Sequence, residues 1–191
     1  MTYLDELDSL LKTTQADLSA VRLVVFDVDG VLTDGRLYYS EQGETLKVFH
    51  VRDGVGLKLL NDMDTTVAVI TAKDSPMVKK RMSQLGIQHY FAGVKDKSLL
   101  LEKLTDQLHV GAENICYVGD DMVDVNPMSK SGVSICPADA FGLVREMASI
   151  VLPVNGGQGV ARMVCDLILH AQGKLEQAYQ MTTRPEFERV R

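Results

Sequence analysis

Cysteine is scarce in this sequence of 191 residues, with three in total: Cys116, Cys136 and Cys165. They are far apart in the chain, odd in number and set in apolar runs. These features favour reduced, buried thiols over disulfide bonds or a zinc site. We therefore assign the cysteines no functional role.

Positive charge is also in short supply, since 20 Lys and Arg face 26 Asp and Glu and the net charge is −6. A protein that grips nucleic acid neutralises phosphates with an excess of basic residues, so this balance argues against a nucleic-acid partner. An anionic small molecule would instead need a local basic pocket.

Long hydrophobic runs are missing. No stretch approaches membrane-spanning length, and residues 1–8 lack the basic flank and apolar stretch of a signal peptide. We therefore expect no membrane partner and a cytoplasmic location. Internal repeats and linkers are missing too, and the length suits one well-buried core better than two full-sized domains.

Short runs rich in Val and Ile recur along the chain and alternate with segments of helical period, which is typical of a parallel α/β sheet. The predicted strands are 23–28, 66–71, 115–118, 133–135 and 150–152. The predicted helices are 55–63, 76–85, 98–108, 124–130, 142–147 and 160–171. The pattern predicts a doubly wound, Rossmann-like parallel sheet.

Two segments break this alternation. Residues 4–18 carry a leucine stripe at helical spacing and predict an N-terminal helix. Two β-prone runs, 36–40 and 45–50, flank a turn and predict a hairpin over residues 36–50. We expect an N-terminal helix in 1–20, a main domain in 21–175 that includes the hairpin, and a C-terminal tail in 176–191.

Carboxylates follow two of the predicted strands. Asp27 and Asp29 stand at the end of the first predicted strand, and Asp120, Asp121 and Asp124 follow the strand over 115–118. Ligands collect at the carboxyl ends of parallel strands. Either motif alone more often caps a turn, so it is their joint occurrence at successive strand ends that indicates a site.

The residue types suit phosphoryl transfer. An ordinary aspartate is ionised at neutral pH and can attack phosphorus without a neighbouring base, which suits Asp27. A second carboxyl can protonate the leaving alkoxide and later accept a proton from water, which suits Asp29. We expect Mg²⁺ to reduce the repulsion between the anions, with Asp120 as a further ligand. Thr71 and Lys97 are the candidate donors to the phosphate oxygens.

Asp121 and Asp124 are close enough in sequence to orient Asp120 or its waters. Lys97 lies at a predicted helix start, where a cation is unfavourable for the helix dipole, and this misfit favours a functional role.

In order along the chain, Asp27-x-Asp29, Thr71, Lys97 and residues 119–124 resemble the four motifs of the haloacid dehalogenase superfamily of aspartate-nucleophile phosphatases. The resemblance spans nearly the whole chain. The short spacings between the motifs leave no room for a cap domain, as in the capless subclass. The resemblance implies that Mg²⁺ is bound by the carboxylates of Asp27 and Asp120 and by the backbone carbonyl of Asp29.

Three further stretches, 49–54, 74–86 and 155–174, resemble capless enzymes that act on phosphorylated sugar acids. The implied substrate is an eight-carbon keto-deoxy sugar acid phosphate used in lipopolysaccharide precursor synthesis, with a nine-carbon acid phosphate as the alternative. The implied substrate contacts are Asp29, His50, Val51, Arg52, Asp53, Gly54, Lys58, Lys73, Arg81 and Lys97.

The sequence departs from this subclass at two places. Ala72-Lys73 stands where Gly-Arg is common, and Gln158 stands where a basic residue is common. Because lysine binds a carboxylate as a point charge and not as a fork, the choice between the two sugar acids stays open. Arg52, in a predicted loop, is suited to clamp the sugar carboxylate, whereas Lys58 is equally well explained as a solvated residue of a helix face.

The resemblance also implies a homotetramer in which the hairpins of four subunits form a central barrel. Two alternatives belong to other classes. A signalling receiver also forms an aspartyl phosphate, but its phosphoacceptor follows the third strand, whereas Asp27 follows the first. A non-catalytic interaction protein would have no reason to retain every motif residue.

Overall fold

The computed structural model describes residues 2–184 and Phe187. Its main sheet has six parallel strands: β1 (Leu23–Phe26), β4 (Thr66–Ile70), β5 (His89–Phe91), β6 (Ile115–Val118), β7 (Val133–Cys136) and β8 (Ile150–Val151). Their order across the sheet is β5-β4-β1-β6-β7-β8. A separate antiparallel hairpin consists of β2 (Tyr38–Ser40) and β3 (Gly43–Leu46).

Eight α-helices lie in the described residues: α1 (Tyr3–Leu11), α2 (Val51–Asp62), α3 (Pro76–Gln84), α4 (Lys97–Leu108), α5 (Val125–Ser129), α6 (Gly142–Met147), α7 (Val160–Ala171) and α8 (Leu175–Thr182). Alternate strand residues enter two apolar clusters. Val24 and Phe26 join one cluster with α2 and α7, while Leu23 and Val25 join the other with α4. Helices therefore cover both faces of the sheet, and the predicted doubly wound fold without a cap domain is confirmed.

Strand β1 lies in the middle of the sheet, paired with β4 on one side and β6 on the other. All four of its residues are fully buried because it is covered on both faces. Phe26 is in register with Val69 and Val118, so the chain leaves β1, β4 and β6 at the same edge. This register brings the polar residues that follow the three strands to one place.

Two elements were not predicted. Strand β5 has three residues at the sheet edge, all half-buried, and is too short to show a period. Helix α8 lies in the segment predicted as a tail. Residues beyond Arg184, apart from Phe187, lie outside the described part of the chain.

The predicted N-terminal helix is too long. Helix α1 ends at Leu11, where the hydroxyl of Thr13 donates to the Leu10 carbonyl at 2.6 Å. Asp17 then caps a separate 3₁₀ turn, Leu18–Ala20, through the backbone N–H of Ser19. Short polar side chains that bond to the local backbone favour such breaks.

The prediction that Arg52 lies in a loop is wrong, because α2 begins at Val51. The ring of His50 accepts a hydrogen bond from the Arg52 backbone N–H at 3.2 Å and so caps the helix. The glycines at 54 and 56 disfavour a helix intrinsically, but packing of α2 on α7 outweighs this local preference.

The hairpin strands are shorter than predicted, and their apolar side chains face outward. Leu37, Tyr39, Leu46 and Val48 are between 46% and 63% exposed. All three cysteines are buried as free thiols, as predicted. Within the described residues, no helix combines the length and apolar character needed to cross a membrane.

Candidate active site

Asp27 and Lys97 meet at the carboxyl edge of the sheet. Asp27 directly follows β1, and its backbone N–H donates to the Val118 carbonyl at 2.9 Å. Lys97 is the first residue of α4, and its Nζ lies 2.8 Å from Asp27 Oδ2. Both residues are only 5% exposed, so the ion pair is buried.

Asp124 anchors this pair. Its Oδ1 accepts hydrogen bonds from Lys97 Nζ at 2.8 Å and from the Tyr117 hydroxyl at 3.0 Å. Its Oδ2 accepts the backbone N–H groups of Asp120 at 3.2 Å and Asp121 at 3.4 Å. The Asp121 side chain in turn caps the 3₁₀ turn Met122–Asp124. Asp124 therefore fixes both Lys97 and the backbone that presents Asp120.

Crowding of carboxylates perturbs the site. Burial raises the pKa of Asp27 to about 7; the charge of Asp124 adds to the rise and Lys97 opposes it. Burial also raises the pKa of Asp120 to about 8, with Asp27 and Asp124 contributing. In the metal-free protein, Asp27 therefore does not have the pKa of an ordinary aspartate, because desolvation disfavours its charged form.

For Lys97, unlike the two carboxyls, the surroundings stabilise the charged form. Burial acts to lower the pKa of its ammonium group, but Asp27 and Asp124 outweigh burial and raise it above its ordinary value. Lys97 thus remains a cation beside Asp27.

The carboxylates offer a fit to a divalent cation. Oxygens of Asp27, Asp120 and Asp124 lie within 4.8 Å of one another. The Asp124 oxygens already accept hydrogen bonds, whereas Asp120 Oδ1 is buried and has no hydrogen-bond partner among the described residues. A cation between Asp27 and Asp120 would satisfy that oxygen and reduce the repulsion between the two groups. Carboxylate oxygens are the ligands that Mg²⁺ prefers, so the residues fit magnesium.

A second charged cluster lies beside the first. The ammonium of Lys47 contacts the Asp29 carboxylate and lies 3.2 Å from Glu44 Oε1. Glu44 Oε2 is 2.9 Å from the ammonium of Lys73. The charged side chain in contact with Asp29 is therefore Lys47.

Thr71 follows β4 and is 2% exposed. Its hydroxyl oxygen accepts the backbone N–H of Lys73 at 3.3 Å, which ties it to the loop that carries Lys73. Thr71 thus stands at the same sheet edge as Asp27, as the strand-end argument requires.

Three predicted substrate-binding cations make no direct contact with the carboxylate cluster among the described residues. Arg52 lines a cleft with Gln158, Arg162 and Tyr179. Lys58 pairs with Asp62 at 2.8 Å, and with Arg81 it lines an apolar pocket whose other residues are Val51, Gly54, Val55, Leu85 and Phe187. Among the described residues, no hydrogen bond or ion pair joins Arg52, Lys58 or Arg81 to the carboxylate cluster. Their roles in substrate binding stay predictions.

Asp53 and His50 cap helices in this fold. Asp53 is 4% exposed and accepts the backbone N–H of Arg162 at 2.8 Å in the first turn of α7. Burial raises the pKa of Asp53 to about 6, and the hydrogen bond from Arg162 opposes that rise. Asp53 thus stabilises the start of α7 and His50 stabilises the start of α2, whether or not either residue also contacts a substrate.

Sequence reasoning missed Lys47, Glu44 and Tyr117. Lys47 stands alone between Leu46 and Val48 in a β-prone run, so no neighbouring residue marks it as part of a site. Tyr117 lies in the apolar strand over 115–118, where a tyrosine carries no signal of a polar contact. Their contacts are with residues that are not adjacent in the chain, so these contacts become visible only in the folded structure.

Gly30 makes room for Asp120. It adopts φ of +87°, and a Cβ at this position would lie 2.0 Å from Asp120 Oδ2. Gly156 fits closely as well, since its Cβ would lie 2.1 Å from the Gly30 carbonyl oxygen. The glycine-rich segment after β8 therefore supports the loop that follows Asp27.

We expect Gly30→Ala to displace the Asp120 carboxylate and weaken metal binding, in addition to straining the backbone by about 1–2 kcal/mol. Gly86→Ala is the matched control, because Gly86 also has positive φ, +70°, but a Cβ there would meet nothing within 4 Å. Thermal unfolding with and without MgCl₂ measures both effects. If MgCl₂ raised the Tm equally little in both variants, the proposed clash between a Cβ at position 30 and Asp120 would be contradicted.

The chain is similar to known proteins over most of its length. The model of the family described as haloacid dehalogenase-like hydrolase matches residues 37–138, more than half of the chain. A protein of Escherichia coli (strain K12), 3-deoxy-D-manno-octulosonate 8-phosphate phosphatase, is 44% identical over 158 residues, which are 83% of this chain and 84% of that protein.

Two solved structures have the same fold. The cobalt-bound deoxy-D-mannose-octulosonate 8-phosphate phosphatase of Haemophilus influenzae is 42% identical, with a TM-score of 0.82 over 86% of this chain and 99% of that one. The 3-deoxy-D-manno-octulosonate 8-phosphate phosphatase of Moraxella catarrhalis, solved with magnesium, phosphate and KDO, is 32% identical, with a TM-score of 0.84 over 93% of this chain and 99% of that one. With these identities spanning most of each chain, the protein belongs to the haloacid dehalogenase-like hydrolases, in the group of the 3-deoxy-D-manno-octulosonate 8-phosphate phosphatases.

Proposed function

We propose that this chain is a magnesium-dependent phosphatase that hydrolyses 3-deoxy-D-manno-octulosonate 8-phosphate to the free sugar acid (Kdo) and inorganic phosphate, a step of lipopolysaccharide precursor synthesis. The observation that carries the proposal is the buried Asp27 carboxylate, held 2.8 Å from Lys97 and within 4.8 Å of Asp120 at the strand ends. The 44% identity to a named phosphatase of this substrate supports the choice of sugar.

In this proposal Asp27 is the nucleophile. An oxygen of its carboxylate attacks the phosphorus, a P–O bond to Asp27 forms, and the P–O bond to the sugar breaks. Lys97 and the hydroxyl of Thr71 donate hydrogen bonds to the phosphate oxygens as charge builds on them. Lys97 is held for this role by Asp124, which it contacts at 2.8 Å.

Asp29 moves the protons. It gives one to the departing sugar oxygen, and it then takes one from the water that attacks the aspartyl phosphate, so that Asp27 is released with inorganic phosphate. Its position two residues after Asp27, with its carboxylate about one third exposed, is compatible with access to both leaving group and water.

The carboxylates of Asp27 and Asp120 and the backbone carbonyl of Asp29 would hold magnesium, whose positive charge would keep both carboxylates ionised and reduce their repulsion of the phosphate. The buried, unpartnered Asp120 Oδ1 is the feature of this chain that supports such a ligand set.

A phosphate-release assay tests the proposal. With MgCl₂ present, we expect 3-deoxy-D-manno-octulosonate 8-phosphate to have the highest kcat/KM, above a nine-carbon keto-deoxy sugar acid 9-phosphate and above neutral sugar phosphates such as glucose 6-phosphate. A higher kcat/KM for the nine-carbon acid phosphate would contradict the proposed substrate but would still support phosphatase activity. Lack of release from every sugar phosphate would favour the non-catalytic alternative.

The domain limits and the location also stay proposals. We place the catalytic unit in residues 21–175, because every member of the carboxylate cluster lies within it. A cytoplasmic location remains a prediction from the sequence, and cell fractionation with a specific antibody tests it.

We further propose that the hairpin over residues 36–50 joins four subunits. Leu37, Tyr39, Leu46 and Val48 expose about half or more of their surface, and a lone two-stranded hairpin is marginally stable in water. Burial of these four side chains against other subunits would stabilise both the hairpin and the assembly.

We expect the double variant Leu46→Glu with Val48→Lys to lower the mass in solution from a tetramer to smaller species, because charges would replace the apolar contact. The apparent affinity for substrate should weaken as well, since the chain passes from the hairpin directly into α2. Light scattering and KM are measured together. Leu99→Glu, on α4 and 48% exposed, is the control. A tetramer with unchanged KM would refute the proposal.

A further inference from the structure

Lys47 is the least expected charge in the molecule. It lies between the end of β3 and the start of α2, and its side chain is only 1% exposed. Its ammonium contacts the Asp29 carboxylate and stands 3.2 Å from Glu44 Oε1. Removing an ammonium from water is costly unless carboxylates surround it, and here two carboxylates share it.

The Asp29 backbone is held by the loop that contains it. The backbone N–H groups of Leu32 and Thr33 both donate to the Val28 carbonyl, at 2.9 and 3.0 Å. This turn fixes where the Asp29 side chain begins, but it leaves the rotation of that side chain free.

The Asp29 carboxylate, by contrast, has one partner. Its only hydrogen bond or ion pair among the described residues is the one with Lys47, and the side chain is 33% exposed. Without Lys47 the carboxylate could therefore rotate among its staggered rotamers. A proton donor that samples several directions spends less time aimed at the leaving oxygen.

We infer that Lys47 is a positioning residue that orients the Asp29 side chain for proton transfer to the leaving group, an inference that rests on the proposed phosphatase activity. Lys47 holds one carboxylate oxygen, Oδ1, and leaves the other free to face the phosphate ester. It acts through Asp29 and does not need to touch the substrate.

Glu44 completes the arrangement. It carries one negative charge against Lys47 and also pairs with Lys73 at 2.9 Å. Glu44 therefore offsets part of the positive charge of Lys47, and the Asp29 carboxyl does not face an isolated cation. Glu44 lies in hairpin strand β3 and Lys47 directly follows it, so docking of the hairpin and orientation of Asp29 are coupled.

Leaving groups of different quality test this role. Nitrophenolate leaves without being protonated, whereas phenolate and above all an alkoxide benefit from a general acid. For Lys47→Met, we expect kcat/KM with phenyl phosphate to fall at least about 10-fold, and kcat/KM with 4-nitrophenyl phosphate to stay within about 3-fold, since general acid catalysis typically contributes 10²–10⁴-fold. The value of kcat/KM is used because it reports the steps up to formation of the phosphoenzyme.

Neither aryl phosphate has a sugar group, so a loss of sugar recognition cannot imitate this pattern. Lys130→Met, which breaks an exposed pair with Glu102, is the control and should leave kcat/KM unchanged with both aryl phosphates. Turnover of 4-nitrophenyl phosphate also reports that the variant is folded. If Lys47→Met is insoluble, Lys47→Gln undergoes the same comparison.

If kcat/KM of Lys47→Met fell equally with both aryl phosphates, or with neither, the positioning role of Lys47 would be refuted. The proposed phosphatase activity would still stand. The unmodified protein is assayed in parallel with 3-deoxy-D-manno-octulosonate 8-phosphate and both aryl phosphates. If it releases phosphate from none of the three, the proposed function itself fails, and the two failures are thereby distinguished.

Discussion

Asp27→Asn is expected to lower kcat by roughly 10⁵-fold or more, the scale on which loss of the nucleophile affects enzymes with covalent intermediates. The amide has nearly the shape of the carboxylate but cannot form the acyl phosphate. Phosphate release from 3-deoxy-D-manno-octulosonate 8-phosphate measures the effect. Asp106→Asn, at an exposed position of α4, is the control and should retain full activity.

The same variant should keep its fold. Burial raises the pKa of Asp27 from its ordinary 3.8 to about 7, so in metal-free protein this group contributes stability below pH 4 that is lost as pH rises towards 7. Asparagine has no charge to bury. Without magnesium, the variant should therefore be at least as stable as the unmodified protein at pH 8, by thermal unfolding. Substantial turnover by pure, folded Asp27→Asn would refute Asp27 as the nucleophile.

Asp120→Ala is expected to raise the magnesium concentration for half-maximal activity at least about 100-fold. The cluster has few carboxylates free to bind a cation, because Asp124 is occupied by Lys97, Tyr117 and two backbone N–H groups. Loss of one of few direct ligands therefore removes much of the affinity. Chelation should abolish activity of the unmodified protein, and added MgCl₂ should restore it.

A readout without turnover complements that assay. A ligand at 100 times its Kd stabilises the folded state by about 2.7 kcal/mol, which is roughly 5–10 °C in Tm for a chain of this size. The unmodified protein should show this shift with MgCl₂ and Asp120→Ala should not. Asp139→Ala is less suitable as a control because its carboxylate accepts the Gly156 N–H, so Asp106→Ala serves instead. Full activity in chelator, or an unchanged shift in Asp120→Ala, would contradict the magnesium site.

The elements that were predicted well have strong local signals. Strand β6 and helices α6 and α7 have the predicted limits, because a run of buried β-formers or a clear helical period marks each of them. The short edge strand β5 and the start of α2 were missed for the opposite reason. There the local preference is weak, and packing against neighbouring elements decides the structure.

The site was predictable in part. Carboxylates at the ends of strands led to Asp27 and Asp120, and the unfavourable position of Lys97 at a helix start pointed to its contact with them. Lys58 and Arg81 came from resemblance alone, and Arg52 came from resemblance together with a predicted loop that is in fact the first turn of α2. Among the described residues, none of the three makes a hydrogen bond or ion pair with the carboxylate cluster.

The sequence by itself determined the fold class and the sheet edge at which the chemistry lies, because periodicity and the order of strands and helices are local properties of the chain. Only the tertiary structure decided which charges meet. Asp27 is crowded by Asp120 and Asp124 and not by Asp29, while Asp29 is held by Lys47. These partners are separated along the chain and are joined by the packing of loops, and burial, which sets the pKa of each carboxyl, exists only once the chain is folded.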